Sequence, residues 1–112
     1  MNLVRLSSPF GGRARTKVLV ALRLLGESYP RELARLLELP VSGVQQALRS
    51  LERDGLVGGR VMGRIRLVRI EPRYFARREL EAYLARLARA DTAVARSVES
   101  LRRRPRATGK PL

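Results

Sequence analysis

PVSGVQQALRSLERDGLV, residues 40–57, sets two adjacent glutamines and two arginines into a segment with a helical apolar repeat that runs out at a glycine. At ~100° per residue, Val44, Ala47, Leu48 and Leu51 cluster on one side, while Ser42, Gln45, Gln46, Arg49 and Arg53 fall within about 100° of arc on the other. The spacing predicts a helix from about Val41 to Asp54 that buries one face and presents a continuous polar one. Gly55 suits a left-handed position behind that helix, and Leu56 and Val57 begin an extended segment.

Upstream, residues 1–12 end in Pro9-Phe10-Gly11-Gly12 and read as an N-terminal arm with little regular structure. From Arg13 to Leu25 the residues Val18, Leu19, Leu22 and Leu25 recur at helical spacing, and Gly26 supplies the stop. Pro30 suits the first turn of a second helix carrying Leu33, Leu36 and Leu37, followed by a break at Leu39-Pro40. Downstream, GGRVMGRIRLVRI holds a turn candidate, Met62-Gly63, between two β-prone runs. In the second run Ile65 and Leu67 alternate with Arg64 and Arg66, which predicts a hairpin.

After Glu71-Pro72 one long helix is expected to begin near Phe75, with Tyr74 and Phe75 plugging the core at the junction. Leu80, Leu84, Leu87, Val94, Val98 and Leu101 follow the 4,3 alternation of a heptad, with Asp91 at one seam position. The seam can pack on its own domain or on a partner. A helix over 75–101, at ~1.5 Å per residue, outreaches so small a core, which favours a homodimer through this seam. Residues 102–112, RRRPRATGKPL, lack an apolar period and read as a basic disordered tail that adds nonspecific phosphate attraction. There is no internal repeat.

At 112 residues the chain has room for one core. Its formal charge of +14, from 24 Lys and Arg against 10 Asp and Glu, points to a polyanion, whether DNA, RNA or an anionic membrane surface. Lysine occurs only at positions 17 and 110, so the charge is almost wholly guanidinium, suited to planar, bidentate pairing with phosphate or guanine; a GC-rich genome would give the same bias. The 75–101 segment sets Arg77, Arg78, Arg86, Arg89 and Arg96 against Glu79, Glu81, Asp91 and Glu99, too even a balance for a basic membrane-surface helix. The absence of cysteine and histidine excludes disulfides, thiolate or imidazole metal sites and a histidine base. No nucleophile, base and ligand set converges, so neither catalysis nor a cofactor is expected. No stretch reads as a signal peptide or membrane span, and a cytoplasmic location is the expectation.

Helices in this order, a polar third helix and a basic hairpin make up the pattern of a winged helix-turn-helix. YPRELARLLELPVSGVQQALRSLERDGLV followed by GRIRLVRI resembles the winged-helix bacterial transcriptional regulators of the ArsR and MarR type, in particular the small regulator domains that occur alone or ahead of nucleotidyltransferases. The likeness covers about residues 13–75. RELARLLEL matches the second helix, VQQALRSLERDGLV the recognition helix and its exit, and Gly63-Arg64 the wing.

The resemblance implies an α+β winged helix-turn-helix at residues 13–74, here with an additional long C-terminal helix over 75–101. It implies a recognition helix in the major groove, with Gln45, Gln46 and Arg49 facing base edges, Ser42 and Gly43 near a phosphate, and Arg64 as the wing contact. Arg53, Arg60 and Arg66 join them as DNA-binding candidates, although hairpin arginines also serve to protect a sheet edge. These side chains have the chemistry for such contacts, since glutamine can bridge adenine N6 and N7, and arginine guanine O6 and N7. Pro40 stands where the family often has a Ser or Thr cap, so Ser42 is expected to cap its own helix. The sensor cysteines and histidines of metal-responsive members are missing, so metal regulation is not implied.

The expected function is sequence-specific binding of double-stranded DNA by a homodimeric repressor. Two rivals use the same charge differently: an RNA-binding basic protein, and an interaction subunit of a nucleotidyltransferase or antitoxin-like system.

Overall fold

The first helix, α1 (Arg13–Leu25), is apolar all round through its middle, and the fold is what covers it. Val18, Leu19, Val20, Ala21 and Leu22 are each at most 1% exposed, which is possible only if other elements surround the helix. In the computed structural model, which describes residues 11–103, those elements are α2 (Pro30–Leu37), α3 (Val41–Arg53), β1 (Val57–Met62), β2 (Ile65–Ile70), α4 (Arg77–Ala90) and α5 (Ala93–Arg103). Among the described residues the fold is therefore α+β, five helices with one two-stranded antiparallel hairpin. The arm expected over 1–12, apart from Gly11 and Gly12, and the tail beyond Arg103 lie outside the described residues.

Local signals account for the helix ends. Gly26 stops α1 at φ +86°, and its N–H donates to the Leu22 carbonyl. Pro30 opens α2. Gly55 closes α3 at φ +82°, with its N–H on Glu52 O and the Leu56 N–H on Leu51 O at 2.9 Å, the paired bonds of a Schellman motif. The same motif ends α2, where the Leu39 N–H reaches Ala34 O at 3.0 Å, but Glu38 occupies the left-handed position at φ +56°. An L side chain there carries about 1–2 kcal/mol of strain, partly offset by the ~0.5–1 kcal/mol of extra chain entropy that glycine would lose. Glu38→Gly is accordingly expected to stabilise the chain by about 0.5–1 kcal/mol, read as a raised midpoint in urea without a change in slope.

The hairpin pairs Val57 with Ile70 and closes at Met62 with Ile65, so its two-residue loop is Gly63-Arg64 and not Met62-Gly63. Gly63 has φ +64° and Arg64 does not share it, the pattern of a type II′ turn with glycine first. The buried residues of β2 are Val68 and Ile70, while Ile65 is 48% exposed and Leu67 half-buried. The inward face is thus one residue out of step with the Ile65, Leu67 alternation. Ser28, between α1 and α2, forms a one-residue bridge to Val68, exchanging hydrogen bonds of 3.0 and 2.8 Å. That bridge ties the far edge of β2 to the helical body.

The single helix expected over 75–101 is two helices. At Asp91 the backbone turns extended, φ −123° and ψ 103°, and its Oδ1 accepts the Ala93 N–H at 3.3 Å, the local bond by which Asp competes with helix. The break lets α5 fold back. Both α4 and α5 pack on α1, and α5 also on α2. Leu80, Leu84, Leu87, Val94 and Val98 are all at most 7% exposed in the same core as α1 to α3, and Leu101 is half-buried beside Leu36 in a groove between α2 and α5. The heptad seam is therefore internal, not a dimer interface, and residues 75–101 are not a unit separate from 13–74. The other junction expectation divides: Tyr74 packs against the core, whereas Phe75 is 91% exposed.

Candidate nucleic-acid interface

α3 is held from two directions. Its inner residues Val44, Ala47, Leu48 and Leu51 are buried against α1 and α2. Arg15, near the start of α1, spans to its far end, with one guanidinium nitrogen on Ser50 Oγ and another 2.9 Å from Asp54 Oδ2. The outer face is left to solvent: Ser42, Gln45, Gln46, Arg49 and Arg53 are exposed and Gly43 is partly so. No other described residue bonds their side chains. The structure thus brings together on one continuous surface the six α3 residues singled out in the sequence.

The start of α3 differs from expectation in one respect. The helix begins at Val41 with Pro40 in the cap position; Ser42 sits inside the first turn and caps nothing. Pro40 can serve because its carbonyl accepts the Val44 N–H at 3.1 Å while its fixed φ, here −62°, suits an extended entry. No acidic residue stands in the first turn, so the amides there meet no negative side chain of their own helix.

The hairpin arginines separate into two kinds. Arg60 makes a two-pronged contact with Glu27, Nε to Oε2 at 3.0 Å and an outer nitrogen to Oε1 at 3.2 Å. Arg66 pairs with Glu52 of α3. These two fasten the hairpin to the loop before α2 and to the C-terminal part of α3, a positioning role that sequence spacing did not reveal. Arg64, at the hairpin tip, is exposed and has no partner among the described residues. Beside it Val61, Met62 and Ile65 are 73%, 52% and 48% exposed.

The Arg60 hydrogen bond, and secondarily the charges of Arg60 and Arg69, hold the Glu27 carboxyl below its ordinary value of 4.5. A depressed carboxylate pKa in the folded state stabilises above the ordinary carboxylate range, and that contribution disappears as pH falls through the folded value. Glu27 is therefore expected to titrate below free glutamate in an NMR pH series. Arg60→Ala should raise it toward the ordinary value, and the stability lost as pH falls through the folded value should be smaller in Glu27→Gln.

Among the described residues no buried side-chain nitrogen or oxygen lacks a partner, no cluster of acidic residues is placed to hold a metal, and no helix is long and apolar enough to cross a membrane. In comparisons with known protein families, with curated proteins and with solved structures, nothing matches the chain.

Proposed function

We propose that the chain is a winged helix-turn-helix transcriptional regulator, a repressor that reads double-stranded DNA with the outer face of α3. The observation that carries this reading is that face itself. Two glutamines and two arginines stand exposed, bonded to no other described residue, on a helix whose other side is anchored in the core. Side chains that bond no other described residue, on a helix anchored in the core, are available for base edges, where glutamine can bridge adenine N6 and N7 and arginine guanine O6 and N7. Three further features support it: α2 and α3 joined by a three-residue turn, the hairpin fastened beside α3 by Arg66 and Glu52, and the Ser28 bridge that makes the hairpin part of a small sheet.

Roles then follow from engagement. Gln45, Gln46 and Arg49 read bases, and Ser42, Gly43 and Arg53 lie toward the phosphates. Arg64 supplies the wing contact, and Arg60 and Arg66 hold the wing in place. Competition between duplex DNA and structured RNA of equal length tests the assignment, with duplex DNA the expected winner. Preference for RNA would transfer the basic surface to an RNA-binding role. Within the duplex complex, Arg64→Ala should weaken all sequences by a similar factor and lower the salt slope by about 0.9, the contribution of one phosphate.

A further inference from the structure

The outer end of the hairpin leaves Val61, Met62 and Ile65 exposed side by side, and a contiguous apolar patch marks a contact surface. Strand pairing sets the directions of these side chains. Met62 lies opposite Ile65, so the two project together from one face of the hairpin, with Gly63 and Arg64 closing the turn between them. Val61 lies opposite Arg66 on the other face, whose inner residues Val57, Val68 and Ile70 are buried.

Charge and bracing indicate what this tip meets. Residues 57–70 hold Arg60, Arg64, Arg66 and Arg69 and no acid, and the acids bonded to the outer half of the hairpin, Glu27 and Glu52, are taken up by Arg60 and Arg66. Arg64, beside the apolar pair, has no partner among the described residues. The two ion pairs brace the strands within two residues of Met62 and Ile65, and the Arg66–Glu52 pair ties the tip to α3. A braced tip that is apolar and cationic is complementary to the minor groove of duplex DNA. There apolar wedges enter between base pairs, and arginine meets the negative potential of the groove.

We infer, on the DNA-binding reading of α3 and the hairpin, that the Met62–Ile65 pair is a wedge that unstacks one base-pair step in the minor groove and bends the duplex. The tie to α3 favours DNA over a lipid surface, because it makes the tip continuous with the face that reads bases. The wedge adds a second source of specificity. A step that unstacks easily, such as TA or CA/TG, accepts it at lower cost, at base pairs that α3 does not touch.

The test uses the full chain and a duplex of about 30 base pairs that it enriches from a random library, labelled with donor and acceptor dyes at the ends. Binding is expected to bring the dyes together as for a bend of about 20–90°. 2-Aminopurine moved stepwise through the flanks should brighten at one step. The double variant Met62→Gln, Ile65→Thr, polar at two exposed positions and first shown to fold by circular dichroism, should lose the bend and the brightening yet keep the bases that α3 prefers. Met62→Leu should retain both signals. A mismatch at the step should tighten binding by the native chain about tenfold and hardly affect the double variant, because part of the unstacking is already done. Specific binding to a straight duplex would overturn the wedge and leave reading by α3 standing, and so would a bend that survives the double variant. Failure to enrich any duplex would overturn both. Vesicles of phosphatidylglycerol and phosphatidylcholine that sediment with the native chain but not with the double variant, while the duplex stays straight, would make the tip a lipid contact instead.

Discussion

Leu84→Asp is expected to unfold the chain. Leu84 is fully buried on α4, within the cluster that also contains Leu19, Leu22 and Val98. Removing a buried leucine side chain costs roughly 2–5 kcal/mol even when alanine replaces it. A carboxylate in its place must be either buried charged or protonated, which adds several kcal/mol. Total stabilities of about 5–15 kcal/mol leave little after such a loss. Circular dichroism should show the helical signal gone for Leu84→Asp, and urea unfolding a stability lowered by roughly 2–5 kcal/mol for Leu84→Ala. If the seam held two copies together instead, Leu84→Asp would give a folded monomer with a native thermal transition.

The second large effect is on recognition. Arg49→Ala should weaken the best duplex by roughly 1–3 kcal/mol, a factor of about 5–150, and relax preference at one or two base pairs. Gln45→Ala and Gln46→Ala should relax neighbouring positions. Stability should hardly change in any of the three, because their side chains are exposed and bond no other described residue. Unequal effects on matched and unmatched duplexes, measured at one salt concentration, separate base reading from phosphate attraction.

What could be read from sequence alone was what neighbours in the chain determine. The α3 stripe, the stops at Gly26 and Gly55 and the hairpin all depend on spacings or backbone preferences within a few residues. The face of β2 did not follow, because Leu67 and Val68 are adjacent apolar residues and a period of two fits either one. Burial chose Val68 and Ile70, since α1 packs on that side. The C-terminal seam misled for a related reason: a 4,3 repeat specifies an apolar stripe without naming what covers it. Two local signs pointed inward. VLVAL at 18–22 has apolar residues on every side of α1 and needs more cover than two helices and a hairpin provide, and Asp91-Thr92 is a pair suited to ending one helix and starting another. The pairs Arg60–Glu27, Arg66–Glu52 and Arg15–Asp54 join residues far apart in sequence and had no local signature.

The role of α3 is tested most directly by selecting duplexes from a random library with the native chain and with the triple variant Gln45→Ala, Gln46→Ala, Arg49→Ala, each first shown to fold. The native chain is expected to enrich a defined sequence, and the triple variant to bind duplex DNA with that preference lost. Enrichment of the same sequence by both proteins would contradict base reading by α3.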